Sequence, residues 1–172
     1  MTQAAPQNAE ALTYQVGVFA LVRQHDTVLL VRPHKLLLPG GPQSLPGTIL
    51  QTSITGLGII ETALRRTLLS QVGISVSDLR LVGSHVVRAG SESRPHLRLN
   101  MIFGTEYCSG ILNPQPSDLK TAHWIALNKL KNNVPDWLRL ALQELETVAA
   151  PSTAAVAPAT GGLFSRRRSS EK

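Results

Sequence analysis

The stretch Arg66-Thr67-Leu68-Leu69-Ser70-Gln71-Val72-Gly73-Ile74 has the spacing of a catalytic helix that ends at a glycine. Carboxylates at its polar positions would be the hard anionic ligands that a divalent cation needs. Thr67, Ser70 and Gln71 offer neutral oxygens instead, and between Thr27 and Val76 the sole acidic residue is Glu61. Upstream lies Leu38-Pro39-Gly40-Gly41, a tight glycine turn directly after an apolar run. Together the two segments outline the frame of an active site whose acidic chemistry has been removed.

The other reactive side chains form no replacement centre by spacing. Cys108 is the single cysteine, which excludes an internal disulfide and a cysteine-built zinc site. His34, His85, His96 and His123 lack the short helical or loop spacing of zinc ligands. Ser70 has neither a His/Asp partner nor the flanking glycines of a nucleophile elbow. Glu61 stands five positions before Arg66, and a solvated helix carboxylate is its plainer role.

Patterning shows which elements must position these residues. The chain has 172 residues, 42% of them hydrophobic, which is enough for one domain with a proper core. Residues 1–12 read as a flexible lead-in, 13–147 as the domain, and 148–172 as a disordered basic tail rich in Ala, Pro, Ser and Thr. Tyr14 to Val22 and Thr27 to Val31 flank a short polar break and predict a β-hairpin, ended by Pro33. Residues 42–57 read as a long loop with a short strand at Thr48 to Leu50.

Ile60, Ala63, Leu64, Leu68 and Val72 recur at three- and four-residue spacing and predict a helix, with Gly73 as its left-handed cap. Leu79 to Val82 and His85 to Arg88 read as strand pieces separated by Gly83. His96 to Thr105 and Ala122 to Leu127 are further strands. Pro135 opens a closing amphipathic helix through Trp137, Leu138, Ala141, Leu142 and Leu145.

Charge narrows the partners. Of the formal +6, residues 147–172 supply a net +3 from Arg166, Arg167, Arg168 and Lys172 against Glu171. The body, with 13 basic and 10 acidic residues, is also +3, far from the dense basic stripe of a duplex binder. Aromatic residues at 4% leave few stacking platforms, so a nucleic-acid partner is disfavoured. No apolar run reaches the roughly 18 to 20 residues of a membrane span, and Met1 to Glu10 lacks the pattern of a secretory signal. A reducing cytoplasm is the simplest setting.

A hairpin, a Gly-Gly turn, an amphipathic helix ending in Gly, more strands, a Trp-bearing strand and a last helix resemble the Nudix hydrolase family. The resemblance covers about residues 14–146. Gly41 matches the leading glycine of the family's signature, and Arg66, Leu68, Gly73 and Ile74 match its second half in register. Leu29-Leu30-Val31-Arg32 resembles the strand before the signature, and Trp124 the late-strand tryptophan. Thr67, Ser70 and Gln71 replace the family's glutamates, and about 11 residues are inserted between Gly41 and Arg66. The missing first acid corresponds either to Thr48, in Pro46-Gly47-Thr48, or to Gly58.

The resemblance implies an α/β fold, an α/β/α sandwich around a mixed sheet. It also implies descent from enzymes that hydrolyse nucleoside diphosphates linked to another group, using metal held by helix carboxylates. With those carboxylates gone, the expected function is a degenerate centre that binds a nucleotide or phosphorylated small molecule, with regulation as its role. Gly40, Gly41, Arg32, Arg66 and Arg98 are the expected ligand-binding residues. Arg88 and Arg94 flank the same family cleft, where guanidinium groups grip phosphate without metal.

Two alternatives stay open. A rearranged hydrolase would recruit Glu61, Asp118 or Glu106 to Mg or Mn, Asp118 standing where some relatives carry a catalytic base. An interaction module would use the sheet and the 42–57 insertion for a protein partner. Dimers are frequent in the family, so a homodimer is compatible with every reading.

Overall fold

The computed structural model describes residues 14–51, 55–91, 94–130 and 134–149. Strand β1 (Tyr14–Gln24) and strand β2 (Thr27–Pro33) form the expected hairpin, but they pair only beside its turn, at Arg23↔Val28 and Gln24↔Thr27. Beyond that point they splay. The chain that follows β2 enters the gap: Ser44 bridges Val31, and β3 (Gly47–Ile49) pairs antiparallel with Gly17 to Phe19 of β1. The short strand expected at Thr48 to Leu50 thus forms one residue earlier, and Ser44, Leu45 and Pro46 before it are buried with it although a loop was expected there. Its prolines and glycines disguise this, because they mark the close approach of backbones as readily as a turn.

Helix α1 (Ile59–Val72) presents Leu64, Leu68 and Val72 to the core, at the spacing that predicted it. Each such side chain contributes about 1.5–3 kcal/mol when fully buried. Gly73 ends the helix in the left-handed conformation at φ 74°, its N–H bonded to the Leu69 carbonyl at 3.1 Å. The next carbonyls are also satisfied, since Asn113 donates to Val72 and Gln115 to Gln71.

Three strands follow, and each departs from the sequence pattern. Strand β4 (Ile74–Val76) alternates buried and exposed residues but, at three residues, was not expected. Strand β5 (Arg80–Ser91) is continuous where two pieces were expected, because its register shifts between Leu81 and Gly83 without a break in pairing. Strand β6 (Arg94–Gly110) extends well past the expected 96–105, since one edge pairs with β1 in parallel and the other with β4 and β5. Strand β7 (Leu119–Ala126) closes the sheet against β2, and helices α2 (Leu127–Leu130) and α3 (Asp136–Ala149) follow. Helix α3 thus continues two residues past the expected domain end at 147, and the rest of the basic tail and the N-terminal lead-in lie outside the described residues.

The sheet runs β4-β6-β1-β2-β7, with β3 beside β1 and β5 beside β6. Its central strands are buried on both faces. Val18, Ala20, Val22, Leu29 and Val31 pack toward α1 with Leu64, Leu68 and Val72. Their neighbours Phe19, Leu21, Val28 and Leu30 pack toward α3 with Leu138, Ala141 and Leu145. Period-two alternation thus feeds two cores, which is the α/β/α sandwich. Among the described residues no helix is long and apolar enough to cross a membrane.

Candidate functional site

The splay of β1 from β2 opens a cleft of about 440 Å³ beside α1. Thr67, Ser70 and Gln71 line it from the helix, and Pro46, Gly47 and Thr48 from β3 and the segment before it. His34, Lys35 and Asp118 line it as well. The helix positions at which the sequence lacks carboxylates therefore do face a cavity.

Gln71 is engaged at both ends of its amide. Its Nε2 donates to the Gly47 carbonyl at 3.2 Å, and its Oε1 accepts from the Gly47 N–H at 3.3 Å. A carboxylate could accept the second bond but could not donate the first. Ser70 is committed locally, its hydroxyl donating to the Thr67 carbonyl at 3.1 Å. Gly47 is required here by close approach, since a Cβ would lie 2.3 Å from the Val18 carbonyl oxygen and 2.8 Å from the Phe19 Cα.

The two glycine turns exchange the parts that the sequence suggested. Leu38-Pro39-Gly40 is repeated seven residues later as Leu45-Pro46-Gly47. The second copy lies against α1, whereas a Cβ at Gly40 would strike the Pro135 ring before α3. Gly41 therefore keeps the sequence match to the leading glycine, but Gly47 and Thr48 stand where that turn meets the helix. Thr48, not Gly58, is the residue in the cleft, since Gly58 caps the far end of α1. The tandem Leu-Pro-Gly was the available signal.

The remaining candidates disperse. Asp118 lines the cleft, exposed, with its carbonyl accepting from the His34 N–H at 3.1 Å. Glu61 is exposed in the first turn of α1 and is not among the residues lining the cleft. Glu106 lies with Arg23, 3.4 Å apart, at a different pocket formed by β1, β5 and β6. Arg66 is exposed and does not line the cleft, while its neighbour Arg65 braces α1 by donating to the Val76 carbonyl at 2.6 Å. Arg32 borders a small pocket with Pro42 and His123. Gly40 and Arg98 share a separate groove, with Arg88 at its rim.

A divalent metal is a poor fit to this donor set. Among the described residues Asp118 is the one carboxylate lining the cleft, the hydroxyls are neutral, Gln71 is occupied at both ends, and Lys35 adds a positive charge. Magnesium needs hard anionic oxygens to offset its dehydration. Among the described residues no three His, Cys, Asp or Glu side chains come together as a metal group.

Solved structures share this architecture. A MutT Nudix hydrolase from Burkholderia pseudomallei superposes with a TM-score of 0.59 over 77% of this chain and 98% of its own, at 20% identity. The Nudix domain of Shewanella oneidensis NrtR, complexed with ADP ribose, gives 0.60 over 83% and 94%, at 15% identity.

The fold is the Nudix fold.

No family model matches the chain. An NAD-capped RNA hydrolase, NudC, of Pseudomonas aeruginosa is 30% identical over 105 residues, which is 60% of this chain and 36% of the relative. The chain thus spans about a third of the length of the curated relatives it matches. Within that fold, Thr67, Ser70 and Gln71 present neutral side chains from α1 to the cleft.

Proposed function

We propose that this chain is a Nudix-fold binding protein related to nucleoside-diphosphate hydrolases, which has lost ordinary metal-dependent hydrolysis. It holds a nucleotide-linked or phosphorylated small molecule in the cleft beside α1, and binding rather than turnover is its output. The observation that carries this reading is the Gln71 amide, which spans Gly47 by a donor and an acceptor at a position where the signature has a metal-binding acid. The substitution has become part of the fold, so the site is built around its neutrality. The ligand class is supported by the relatives, one named for NAD-capped RNA and one solved with ADP ribose.

The test is a ligand screen in the presence of a chelator. ADP-ribose, NAD or a related nucleoside diphosphate is expected to raise the melting temperature without metal, because a ligand that prefers the native state stabilises it. No cleavage of the same panel is expected with Mg or Mn. A second reading, a rearranged hydrolase, has one observation in its favour: Asp118 is a carboxylate in the same cleft. Metal-dependent cleavage that disappears in Asp118→Asn establishes that reading and overturns the first.

A further inference from the structure

A second cavity, about 770 Å³, lies on the α3 side of the sheet, where Gln15, Val87, His96 and Arg98 line it beneath the segment Lys35 to Gly40. It shares Lys35 and Leu37 with the cleft beside α1, so the two are neighbours. Among the described residues its lining contains Lys35, Arg88, Arg98 and His96 and no Asp or Glu.

Arg98 is the unusual member. It is half-buried, and loss of hydration lowers its affinity for its own proton. Its Nε donates to Asn100 Oδ1 at 3.0 Å and its Nη2 to the Leu37 carbonyl. Both partners are neutral, and among the described residues Arg98 makes no ion pair. A desolvated cation without a counter-charge is costly in a protein that gains nothing from it.

The guanidinium is also held in place from behind. Asn100 is buried, fits because Gly17 has no Cβ, and its Nδ2 lies 3.1 Å from His85 Nε2. His85 stacks on Trp137 at 5.8 Å, and the Trp137 indole N–H donates to the Pro39 carbonyl at 2.8 Å. That chain of contacts fixes both Arg98 and the segment over it. Two of the guanidinium's five N–H groups are used, which leaves a fork able to bind an oxyanion.

We infer that the Arg98 groove is a metal-independent oxyanion site for the phosphate end of a small ligand, with Lys35 at the junction to the cleft beside α1. Free pyrophosphate and the diphosphate of a nucleotide present the same chemistry to it. The second source rests on the function proposed above, and the first does not.

The full chain is titrated calorimetrically with pyrophosphate and, separately, with ADP-ribose, both with chelator. Pyrophosphate is expected to bind one to one, and Arg98→Gln, which keeps a donor for Leu37, to weaken it at least tenfold. In parallel, the Arg98 side-chain Nε–H resonance of the unmutated chain is expected to shift on titration, a readout that does not depend on the variant folding. Pyrophosphate binding with those signatures and no response to ADP-ribose supports the groove and removes the nucleotide reading. ADP-ribose binding that Arg98→Gln also weakens tenfold supports both. No pyrophosphate binding at 10 mM, or binding that leaves the Arg98 resonance unmoved, overturns the inference whatever ADP-ribose does.

Discussion

Gln71 and Gly47 face each other across the mouth of the helix-side cleft, amide against peptide, with a hydrogen bond in each direction. The pairing ties α1 to β3, two elements separated by the inserted segment. A glutamine is suited to it because its amide carries a donor and an acceptor side by side, as a peptide group does.

Gln71→Glu is therefore expected to destabilise the protein. The carboxylate would face the Gly47 carbonyl with no proton to give, leaving that oxygen unsatisfied at a cost of about 1–2 kcal/mol. The denaturant midpoint should fall at pH 7 and recover partly near pH 4, where the acid is protonated. A midpoint equal to the parent's would show that the amide bridge contributes nothing.

Gly47→Ala should be more damaging than Gly41→Ala. The new methyl at 47 meets backbone atoms that cannot rotate away, whereas at 41, with φ 131°, nothing lies within 4 Å and only backbone strain opposes it. Overpacking of this kind costs about 3 kcal/mol or more where backbone cannot yield, against about 1–2 kcal/mol for the sparsely populated backbone conformation alone at 41. Thermal unfolding of the two variants side by side decides it.

Thr67→Glu/Ser70→Glu, which spares Gln71, is expected to create a cation site without disturbing the bridge. Both positions line the cleft that holds Asp118, so three carboxylates would then face one space. Millimolar Mn should raise the melting temperature of the double variant and leave the parent unchanged. An equal shift in both would mean that the parent already binds the metal.

Stability should also decline on mild acidification. Burial, and then the charge of Arg98, hold His85 below its ordinary value of 6.5. Below pH 6.5 the unfolded chain takes up a proton that folded His85 still refuses. This contribution is therefore complete above the unfolded value and is lost as pH falls from there toward the folded one. Denaturant midpoints at pH 7.5 and 5.5 should differ less in His85→Gln than in the parent.

Much of this was legible in the sequence, for reasons of periodicity. Leu64, Leu68 and Val72 fall on one helical stripe, and Val18 to Val22 alternate into two cores, so α1 and β1 read directly. Ser44 to Gly47 did not, because its residue types signal turns while its pairing with Val31 and Phe19 depends on strands that splay. Strand β6 was read short because Glu106 to Gly110 is polar and is held by edge pairing with β4. The candidate arginines all lie near expected elements in the sequence, and only the fold separates Arg98, half-buried in a groove, from Arg66 on an exposed helix face.

The parallel pairing of β1 with β6 joins Tyr14 to Leu97 and Arg23 to Glu106, residues 83 positions apart in the chain. The most buried strand of the sheet therefore waits for a partner made much later in synthesis, while its apolar faces stay open. Pairings of such long range slow folding and leave early chains prone to association. Yield in the cell should accordingly depend on how long β1 is shielded, a vulnerability of biogenesis that the stability of the finished molecule would conceal.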